Sequence, residues 1–289
     1  PCTRAIVAAG IREVHLSHLD PDPQVSGRGA QALRKAGIAV HVGEGEQEAR
    51  RLNEAYIKHR LTGLPFVIAK FAVSLDGKIA ARSGDSRWVS GPESREWAHR
   101  QRAKLDAIIV GVRTVLIDDP ELTARPEGET DGVRQPLRIV ADSSGRTPLS
   151  ARVLGGPGKA LLVTTAASES GWRKQMAGAG AEVLVMPEYQ GRVDVLELLR
   201  ALGQRPVLSL LVEGGGELLG SFFDRGLVDK VQAIVAPMII GGKRAPTAVA
   251  GRGAHRMDEA LRLQEVSVER LGSDLLVSGY VRAREQKKV

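Results

Sequence analysis

LSLLVEGGGELLGS, residues 208–221, is the stretch that decides the fold. Its apolar first half predicts a buried strand, and the apolar residues within 218–223 predict one side of a helix after the glycines. A strand, a glycine turn and a helix N-terminus together present bare backbone N–H groups to a phosphate. Glycine suits this turn because a Cβ would hold the anion away from the backbone. Glu213 ends the strand, at the edge where open α/β sheets bind ligands.

The glycines of this turn lack the spacing of the common dinucleotide-binding fingerprint. Gly214, Gly216 and Gly220 do not fit G-x-G-x-x-G, and the turn comes late in the chain, whereas that fingerprint usually opens its domain. The position favours a dinucleotide-binding fold other than the standard Rossmann fold. A plain tight turn without a ligand is the alternative.

Composition limits the class of protein. The 289 residues suffice for one large domain or two ordinary ones, and 43% hydrophobic content suits a globular core. No apolar run approaches the length of a membrane span, and no charged-then-apolar leader opens the chain. Pro1 in place of Met indicates a processed or truncated chain, or a fragment. A single cysteine excludes an internal disulfide and favours a reducing, cytoplasmic setting.

Net charge indicates the kind of partner. The chain carries 41 Lys and Arg against 34 Asp and Glu, a formal charge of +7, which favours an anionic partner. Aromatic residues make up only 3%, too few for the stacking surfaces of single-strand nucleic-acid binders. We therefore expect a phosphorylated small molecule as partner, with no nucleic acid and no membrane. Whether the chain forms a homo-oligomer is left open.

The order of predicted elements divides the chain at residues 62–65, TGLP. Residues 1–62 predict a strand, a helix, a second strand and one long amphipathic helix over 44–61, a layer whose core is too small to stand alone. From residue 66 onward strands and helices alternate, which predicts a mostly parallel, covered sheet. Residues 263–271 and 274–281 predict an antiparallel pair at its edge.

Polar residues in the second region suggest a cleft. Lys70 interrupts an apolar strand, so it must face a polar cavity or find a partner. Asp118 and Asp119 end a predicted helix and could bind hydroxyl or amino groups, while Arg125 could pair with a phosphate. Helix termination followed by a solvated loop is the alternative for this stretch.

Two further loops offer weaker signals. Ser74-Leu75-Asp76-Gly77 follows a strand and would lie near Glu213 if both strands are parallel, although a plain hairpin turn explains it equally well. Ser86 and Trp88 could supply a hydroxyl ligand and a stacking surface, or Trp88 could cap the core. The six histidines show no metal-binding spacing, Cys2 alone cannot hold zinc, and neither a P-loop nor a nucleophile elbow is present.

Several segments together resemble the bifunctional deaminase–reductase family of riboflavin biosynthesis. They are Lys70 with SLDGKIA at 74–80, GDSRW at 84–88, TVL at 114–116 leading into DDPELTAR at 118–125, and VEGG at 212–215. Residues 65 to about 283 resemble the complete reductase domain, so we assign 65–289 to it. Residues 1–62 resemble the C-terminal part of the zinc deaminase domain.

The resemblance implies a fold and a reaction. The fold would be α/β, with a dihydrofolate-reductase-like domain built on a mostly parallel mixed sheet, preceded by the C-terminal part of a cytidine-deaminase-like α/β domain. The activity would be NADPH-dependent reduction of 5-amino-6-(5-phosphoribosylamino)uracil to its ribityl form, with hydride going to C1′ of the open-chain imine. NADPH over NADH follows from the resemblance alone.

The resemblance also implies site residues. NADPH contacts would come from Ala72, Trp88, Thr114, Asp118, Ser143, Gly215, Gly216, Glu217, Leu218, Leu219, Gly220 and Ser221. Substrate contacts would come from Ser86, Arg102, Leu122, Arg125 and Glu213. Lys70, Asp76 and Glu213 are the candidate catalytic residues of the cleft, and Glu213 or water is the candidate proton donor.

The sequence departs from the family pattern at its start. The deaminase needs a His-x-Glu segment and two Pro-Cys motifs, which supply three zinc ligands and a carboxylate for acid–base catalysis. Only what resembles the second Pro-Cys is present, leaving Cys2 as a lone remnant ligand. We therefore expect neither deaminase (hydrolase) activity nor stoichiometric zinc from this chain, and a longer, bifunctional natural product that binds zinc.

Two other functions remain open at this point. A reductase of the related branch would act before deamination, on a pyrimidine that carries an amino group in place of an oxo group. A nucleotide-binding or assembly subunit would keep the fold without turnover. The partial domain at residues 1–62 should expose apolar surface and favour poor solubility or non-native association.

Overall fold

A computed structural model describes residues 2–128 and 132–281. By its internal contacts the chain separates into two units, Pro1–Phe66 and Val67–Val289. None of the helices in the described ranges combines the length and the apolar character that a bilayer crossing requires.

The first unit is a small α/β layer. Its strands β1 and β2 pair in parallel, and its few buried apolar side chains include Ala30, Leu33 and Ile38. In chain order its elements are α1 (Cys2–Ala8), β1 (Glu13–Leu16), α2 (Arg28–Lys35), β2 (Ala39–Val42), α3 (Glu46–Leu52) and α4 (Glu54–Thr62).

The long helix expected over residues 44–61 is wrong, because two helices meet at Asn53. Asn53 has φ −106° and ψ 16°, and its side-chain Nδ2 donates to the carbonyl oxygen of Ala49 at 2.9 Å. An asparagine side chain that bonds to nearby backbone competes with the helical hydrogen-bond ladder. The apolar periodicity continues across the break, which is why the sequence predicted a single helix.

The second unit contains a nine-stranded sheet and the helices that cover it. Its elements are β3 (Phe66–Ser74, beginning at the last residue of the first unit), α5 (Pro92–Lys104), β4 (Ala107–Gly111), α6 (Val112–Asp118), β5 (Leu137–Ala141), a 3₁₀ helix (Arg152–Leu154), β6 (Ala160–Thr164), α7 (Ser170–Gly178), β7 (Glu182–Val185), β8 (Glu188–Tyr189), β9 (Arg192–Val193), α8 (Val195–Gly203), β10 (Ser209–Glu213), α9 (Gly216–Asp224), β11 (Lys230–Ala236), a 3₁₀ helix (Met257–Glu259), β12 (Leu263–Leu271) and β13 (Asp274–Val281).

The strands of this sheet run in the order β12-β13-β11-β3-β10-β4-β5-β6-β7. Strands β10, β4, β5, β6 and β7 are parallel to their neighbours in that series, and β11 is parallel to β3. Strand β13 is antiparallel to both β11 and β12, so the sheet is mixed and ends in a hairpin. The predicted mostly parallel α/β sheet with an antiparallel edge pair is confirmed. The sequence analysis missed the short β8–β9 hairpin.

The core lies along the central strands. Ala107, Ile108, Ile109 and Val110 of β4 have no solvent exposure. Such an uninterrupted apolar run is typical of a parallel strand covered on both faces. Helix α8 contributes Leu198, Leu199 and Leu202 to the core, and Asp194 caps its first turn by accepting from two backbone amides.

Asp106, just before β4, anchors the amino end of β10. Its Oδ2 accepts hydrogen bonds from the backbone N of Leu208 and of Ser209 at 2.9 Å each, and from the Ser209 hydroxyl at 2.8 Å. Its own amide donates back to Ser209 Oγ at 3.0 Å, and Arg134 pairs with its other oxygen. These bonds fix the amino end of β10 beside the start of β4.

Candidate active site

A cavity of about 1430 Å³ opens at the carboxyl ends of β4, β5 and β10. It is lined by the ends of these strands, by residues of β3, by the segment 84–96, by the first turns of α6 and α9, and by the segment 243–250. Side chains and backbone from across the second unit thus meet in one continuous space.

Glu213 lies between two cations at one wall of this cavity. Lys70 Nζ donates to Glu213 Oε1 at 2.7 Å, and Arg102 Nε donates to Oε2 at 2.9 Å. All three side chains are 10–15% exposed. Lys70 therefore has the polar partner that its apolar strand demanded.

The charge state of Glu213 follows from these contacts. Burial alone would raise the pKa of Glu213, but the neighbouring Arg102 and Lys70 outweigh burial and hold the pKa well below its ordinary value. Glu213 is therefore a carboxylate at neutral pH and carries no proton to deliver. One carboxylate between two cations also leaves the group with one positive charge.

A second group of cations lies close to the first. Arg125 and Arg152 both pair with Glu121, one on each carboxylate oxygen, and all three residues line the cavity. Burial, followed by the positive charges of Arg102 and Arg152, lowers the pKa of Arg125. Three guanidinium groups within electrostatic reach of one another form a place where an anion such as a phosphate would be stabilised.

His99 lies beside this cluster. Its Nδ1 is 3.2 Å from the carbonyl oxygen of Thr123 and 3.3 Å from the amide nitrogen of Arg125. Burial, followed by the positive charges of Arg102 and Arg125, lowers the pKa of His99 from its ordinary value and so favours the neutral imidazole. The ring thus adds a polar, uncharged group to a strongly cationic wall.

The glycine turn leads into the N-terminus of α9. Gly214 and Gly215 have φ of 96° and 81°, a backbone conformation that glycine adopts without strain. Thr114 Oγ1 lies within 3.5 Å of where a Cβ would stand on either residue. Because the first N–H groups of a helix have no partner within it, the turn offers donors to the cavity.

Gly216 and Gly220 have a different reason to be glycine. A Cβ on Gly216 would stand 2.6 Å from the carbonyl oxygen of Thr247, and one on Gly220 would stand 2.3 Å from that of Ala250. The amide of Ala250 also donates to the Gly216 carbonyl at 2.9 Å. These glycines allow the segment 247–250 to pack directly on α9, and Gly220 does not line the cavity.

Other expected residues surround the cavity. The Ser86 hydroxyl donates to Asp118 Oδ1 at 2.5 Å, and Trp88 is 65% exposed with the Arg95 guanidinium 4.5 Å from its ring centre. The Ser143 hydroxyl accepts from the amide of Val193 at 3.0 Å. The expected site residues that line the cavity are Lys70, Ala72, Ser86, Trp88, Arg102, Thr114, Asp118, Leu122, Arg125, Ser143, Glu213, Gly215, Gly216, Glu217, Leu218, Leu219 and Ser221.

Asp76 lies outside the cavity lining, contrary to its expected place in the cleft. Its carboxylate accepts from the Ser74 hydroxyl at 2.6 Å and from the amides of Ile240 and Gly241 at 3.0 and 2.7 Å. The Ser74 hydroxyl and these two amides lower the pKa of Asp76 to about 2. Asp76 thus fixes the turn after β11 to the turn after β3. Cys2 is exposed and belongs to the first unit.

Sequence reasoning missed His99, Glu121, Arg146 and Arg152 as residues of the cavity. Glu121 belongs to the DDPELTAR segment and carried a local signal. Arg152 lines the cavity and pairs with Glu121, and no local pattern marks it. Arg146 follows Ser143 in the loop after β5, where a search for cations near the expected cofactor contacts would have found it.

Comparison with known proteins gives a consistent result. The family model described as RibD C-terminal domain matches residues 65–277. The riboflavin biosynthesis protein RibD of Actinobacillus pleuropneumoniae is 37% identical over 282 residues, which are 97% of this chain and 74% of that protein. RibD of Aquifex aeolicus is 36% identical, over 96% of this chain and 75% of its own length.

Solved structures similar to this chain come from the same group of proteins as the sequence relatives. Acinetobacter baumannii RibD superposes with a TM-score of 0.86 at 32% identity, covering 98% of this chain and 76% of that one. The diaminohydroxyphosphoribosylaminopyrimidine deaminase/5-amino-6-(5-phosphoribosylamino)uracil reductase of Thermotoga maritima superposes with a TM-score of 0.82 at 30% identity, covering 98% and 75%.

Proposed function

The chain belongs to the RibD C-terminal domain family, and from that premise we propose that its cavity reduces the ribosyl group of 5-amino-6-(5-phosphoribosylamino)uracil. The chain is an NADPH-dependent oxidoreductase of riboflavin biosynthesis. One observation carries the proposed substrate: a single cavity holds two places for anions, the turn before α9 and the arginine cluster beside Glu213. Its volume of about 1430 Å³ exceeds the roughly 300–1,000 Å³ typical of a single small-molecule site, which leaves room for cofactor and substrate together.

The residues at the glycine turn fit a dinucleotide. The backbone of Gly215 to Leu219, with Thr114 opposite, would hold the pyrophosphate, because N–H groups and the helix dipole converge there. Glu217 is paired with Arg113 and Arg192, so its charge is offset where an anion would approach. Ala72 and Trp88 would border the nicotinamide. Gly220 acts indirectly, through its contact with residue 250.

Arg146 supplies the group for the 2′-phosphate that distinguishes NADPH from NADH. The buried Asp142 carboxylate holds its loop by accepting from the amides of Gly145, Arg146 and Thr147 at 3.1, 2.6 and 2.6 Å. Arg146 lines the cavity beside Ser143. A guanidinium fork held by such a loop matches the geometry of a phosphate.

Arg146→Ala tests this assignment. The change should raise the KM for NADPH by about 10–100-fold, as expected for a lost hydrogen bond to a charged group, and leave the KM for NADH unchanged. Arg200→Ala, which removes an exposed arginine on α8 that is paired with Glu197, is the matched control. Equal losses for both cofactors would show that Arg146 does not recognise the 2′-phosphate.

Chemistry at the sugar depends on groups around Glu213. When bound, NADPH supplies the hydride. Arg125 and Arg152 hold the substrate phosphate, and Arg102 and the Glu213 carboxylate orient the sugar hydroxyls. Lys70 delivers a proton to the imine nitrogen as C1′ accepts the hydride, because its ammonium group lines the cavity whereas Glu213 is ionised, and Lys70 is then reprotonated from solvent. Ser86 and Leu122 complete the substrate wall, and Asp76 contributes only by holding its turn.

The first experiment is NADPH oxidation by the purified chain, followed by absorbance, with the deaminated and the non-deaminated substrate side by side. We expect faster turnover of the deaminated substrate, and its loss in Arg125→Ala but not in Arg200→Ala. Faster turnover of the amino form would assign the chain to the branch that reduces before deamination. Tight NADPH binding without oxidation of either substrate would indicate a nucleotide-binding subunit.

Residues 1–62 are proposed as the C-terminal part of a zinc deaminase domain, followed by the reductase domain at 65–289. The chain spans about three quarters of the length of its relatives, one of which is named as both a deaminase and a reductase. Because Cys2 is the one cysteine of the sequence, deaminase activity and its zinc are expected only in a longer chain. From membership of the same family we also propose a cytoplasmic location.

A further inference from the structure

Three potential metal ligands lie on one face of the two-stranded sheet in the first unit. The parallel register of β1 and β2 places His15 directly opposite His41. Glu13 precedes His15 by two residues, so both side chains leave β1 on the same face. The imidazole rings stack with their centres 4.8 Å apart and an angle of 23° between their planes. Strand pairing thus assembles a group that no spacing in the sequence reveals.

The atoms of this group have the separations of a coordination shell. Glu13 Oε1 is 3.1 Å from His15 Nε2 and 3.0 Å from His41 Nε2. The three ligand atoms all lie within 4.8 Å of one another. Ligands of a tetrahedral zinc ion, at bond lengths of about 2.0–2.1 Å, stand about 3.3 Å apart. An ion could replace the shared Nε2 protons once the two exposed rings rotate so that both Nε2 lone pairs point at it.

A fourth residue holds one ligand in the required orientation. Glu44 Oε2 lies 2.6 Å from His15 Nδ1. A carboxylate that accepts a hydrogen bond from Nδ1–H keeps the proton on Nδ1 and leaves the Nε2 lone pair for a metal. This is the usual arrangement around metal-bound histidine. Glu44 therefore acts on the cluster through His15.

We propose that Glu13, His15 and His41 bind one divalent transition-metal ion of the zinc class, with Glu44 positioning His15. Two imidazoles and one carboxylate are a ligand set that Zn²⁺ accepts, with water in the fourth place. All four side chains are more than half exposed, so an ion reaches them from solvent. The bound ion would cross-link β1 and β2 and stabilise the first unit by mass action.

This site is separate from the lone Cys2 and from the reductase cavity. It shares no residue with either. The expectation that the chain carries no stoichiometric zinc rested on Cys2 and on the absence of a metal-binding spacing among the histidines. A site formed across two paired strands lies outside that reasoning, because strand register and not spacing along the chain brings its ligands together.

Calorimetric titration of the chelator-stripped full chain with Zn²⁺, in a buffer that does not bind metals, tests the proposal. We expect one equivalent bound, with binding lost in His15→Ala and in His41→Ala. Glu44→Gln should weaken binding by about 10–100-fold, as is typical for an outer-shell partner. Cys2→Ser and His255→Ala, which change a remnant ligand and an exposed histidine of the second unit, should bind as the parent does.

A second measurement covers the case in which a histidine variant unfolds the first unit. Co²⁺ bound by the parent chain should give visible absorption bands of a nitrogen–oxygen site, and Zn²⁺ should displace them. His41→Asn, which keeps a polar side chain in register, should abolish the bands while circular dichroism stays unchanged. Absence of a saturable equivalent in the parent, or binding that survives His41→Asn or disappears in Cys2→Ser, would overturn the proposal.

Discussion

Asp106 and Glu213 are carboxylates at the two ends of strand β10, and they bind different kinds of partner. Asp106 holds the amino end of β10 through two backbone amides and a hydroxyl. Glu213 is the last residue of the strand and faces the ammonium group of Lys70 and the guanidinium group of Arg102. Both carboxylates have side chains that are 13% exposed, so burial does not distinguish them.

The kind of partner distinguishes the two roles. Backbone amides at fixed positions tie a carboxylate to the chain path, so Asp106 determines where β10 lies. The partners of Glu213 are the side chains of Lys70 and Arg102. Glu213 therefore determines where these two positive charges lie in the cavity. A carboxylate bound by amides thus indicates architecture, whereas one bound by more cations than it can neutralise indicates a site for an anionic ligand.

The largest expected effect is on kcat, in the variant Glu213→Gln at the carboxyl end of β10. The amide nitrogen of glutamine would face the Arg102 or the Lys70 donor, so that cation must move. We expect kcat to fall by about 100-fold or more, since a misplaced positioning group commonly costs that much. Steady-state NADPH oxidation with the deaminated substrate measures it. A kcat within the error of the parent would remove Glu213 from the mechanism.

Asp106→Ala should produce the complementary result. It leaves two amides and one hydroxyl without their acceptor, so the free energy of unfolding should drop by about 2–3 kcal/mol, while kcat of the folded enzyme stays unchanged. Urea unfolding and steady-state kinetics on the same sample separate the two effects. Asp106→Asn, which keeps one oxygen acceptor, should lose less. A fall in kcat of the fully folded Asp106→Ala variant would contradict the assignment of a purely structural role to Asp106.

The smallest expected effect is on the free energy of unfolding at acid pH. The lowered pKa of Glu213 means that its ionised form stabilises the folded chain above the unfolded-state value of about 4.3, and that this contribution is lost as pH falls through the folded-state pKa. The stability difference between parent and Glu213→Gln should therefore be greatest near neutral pH and narrow below about pH 4.3. Urea unfolding across pH measures it. A constant difference would mean that the Glu213 charge is not coupled to folding.

Much of the second unit could be predicted because its apolar runs are continuous. The alternation of strands and helices expected from residue 66 onward is present, and the edge pair expected at 263–271 and 274–281 has those bounds. Most of the site residues implied by the resemblance to a known family line the cavity, with Asp76 and Gly220 as the exceptions. Strong local patterns of this kind survive any tertiary context, since burial on both faces reinforces the strand preference.

Apart from the helix break at Asn53, the features that the sequence did not reveal lie where distant residues meet. Asp76 satisfies amides more than 160 positions away, at Ile240 and Gly241, and so lies outside the cavity. Arg152 joins Arg125 through Glu121. His15 and His41 meet through strand register. Each of these depends on pairing or on close approach, which spacing within one segment does not encode.

The contact of Gly216 and Gly220 with residues 247–250 has a consequence for protein engineering. Segment 243–250 forms part of the cavity wall, and residues 247–250 pack on α9 only because Gly216 and Gly220 have no Cβ. Gly220 is not itself part of that wall. A mutant library aimed only at wall residues would therefore omit Gly220, where a Cβ would overlap the backbone of Ala250, and a variant with altered substrate preference would have to keep this glycine.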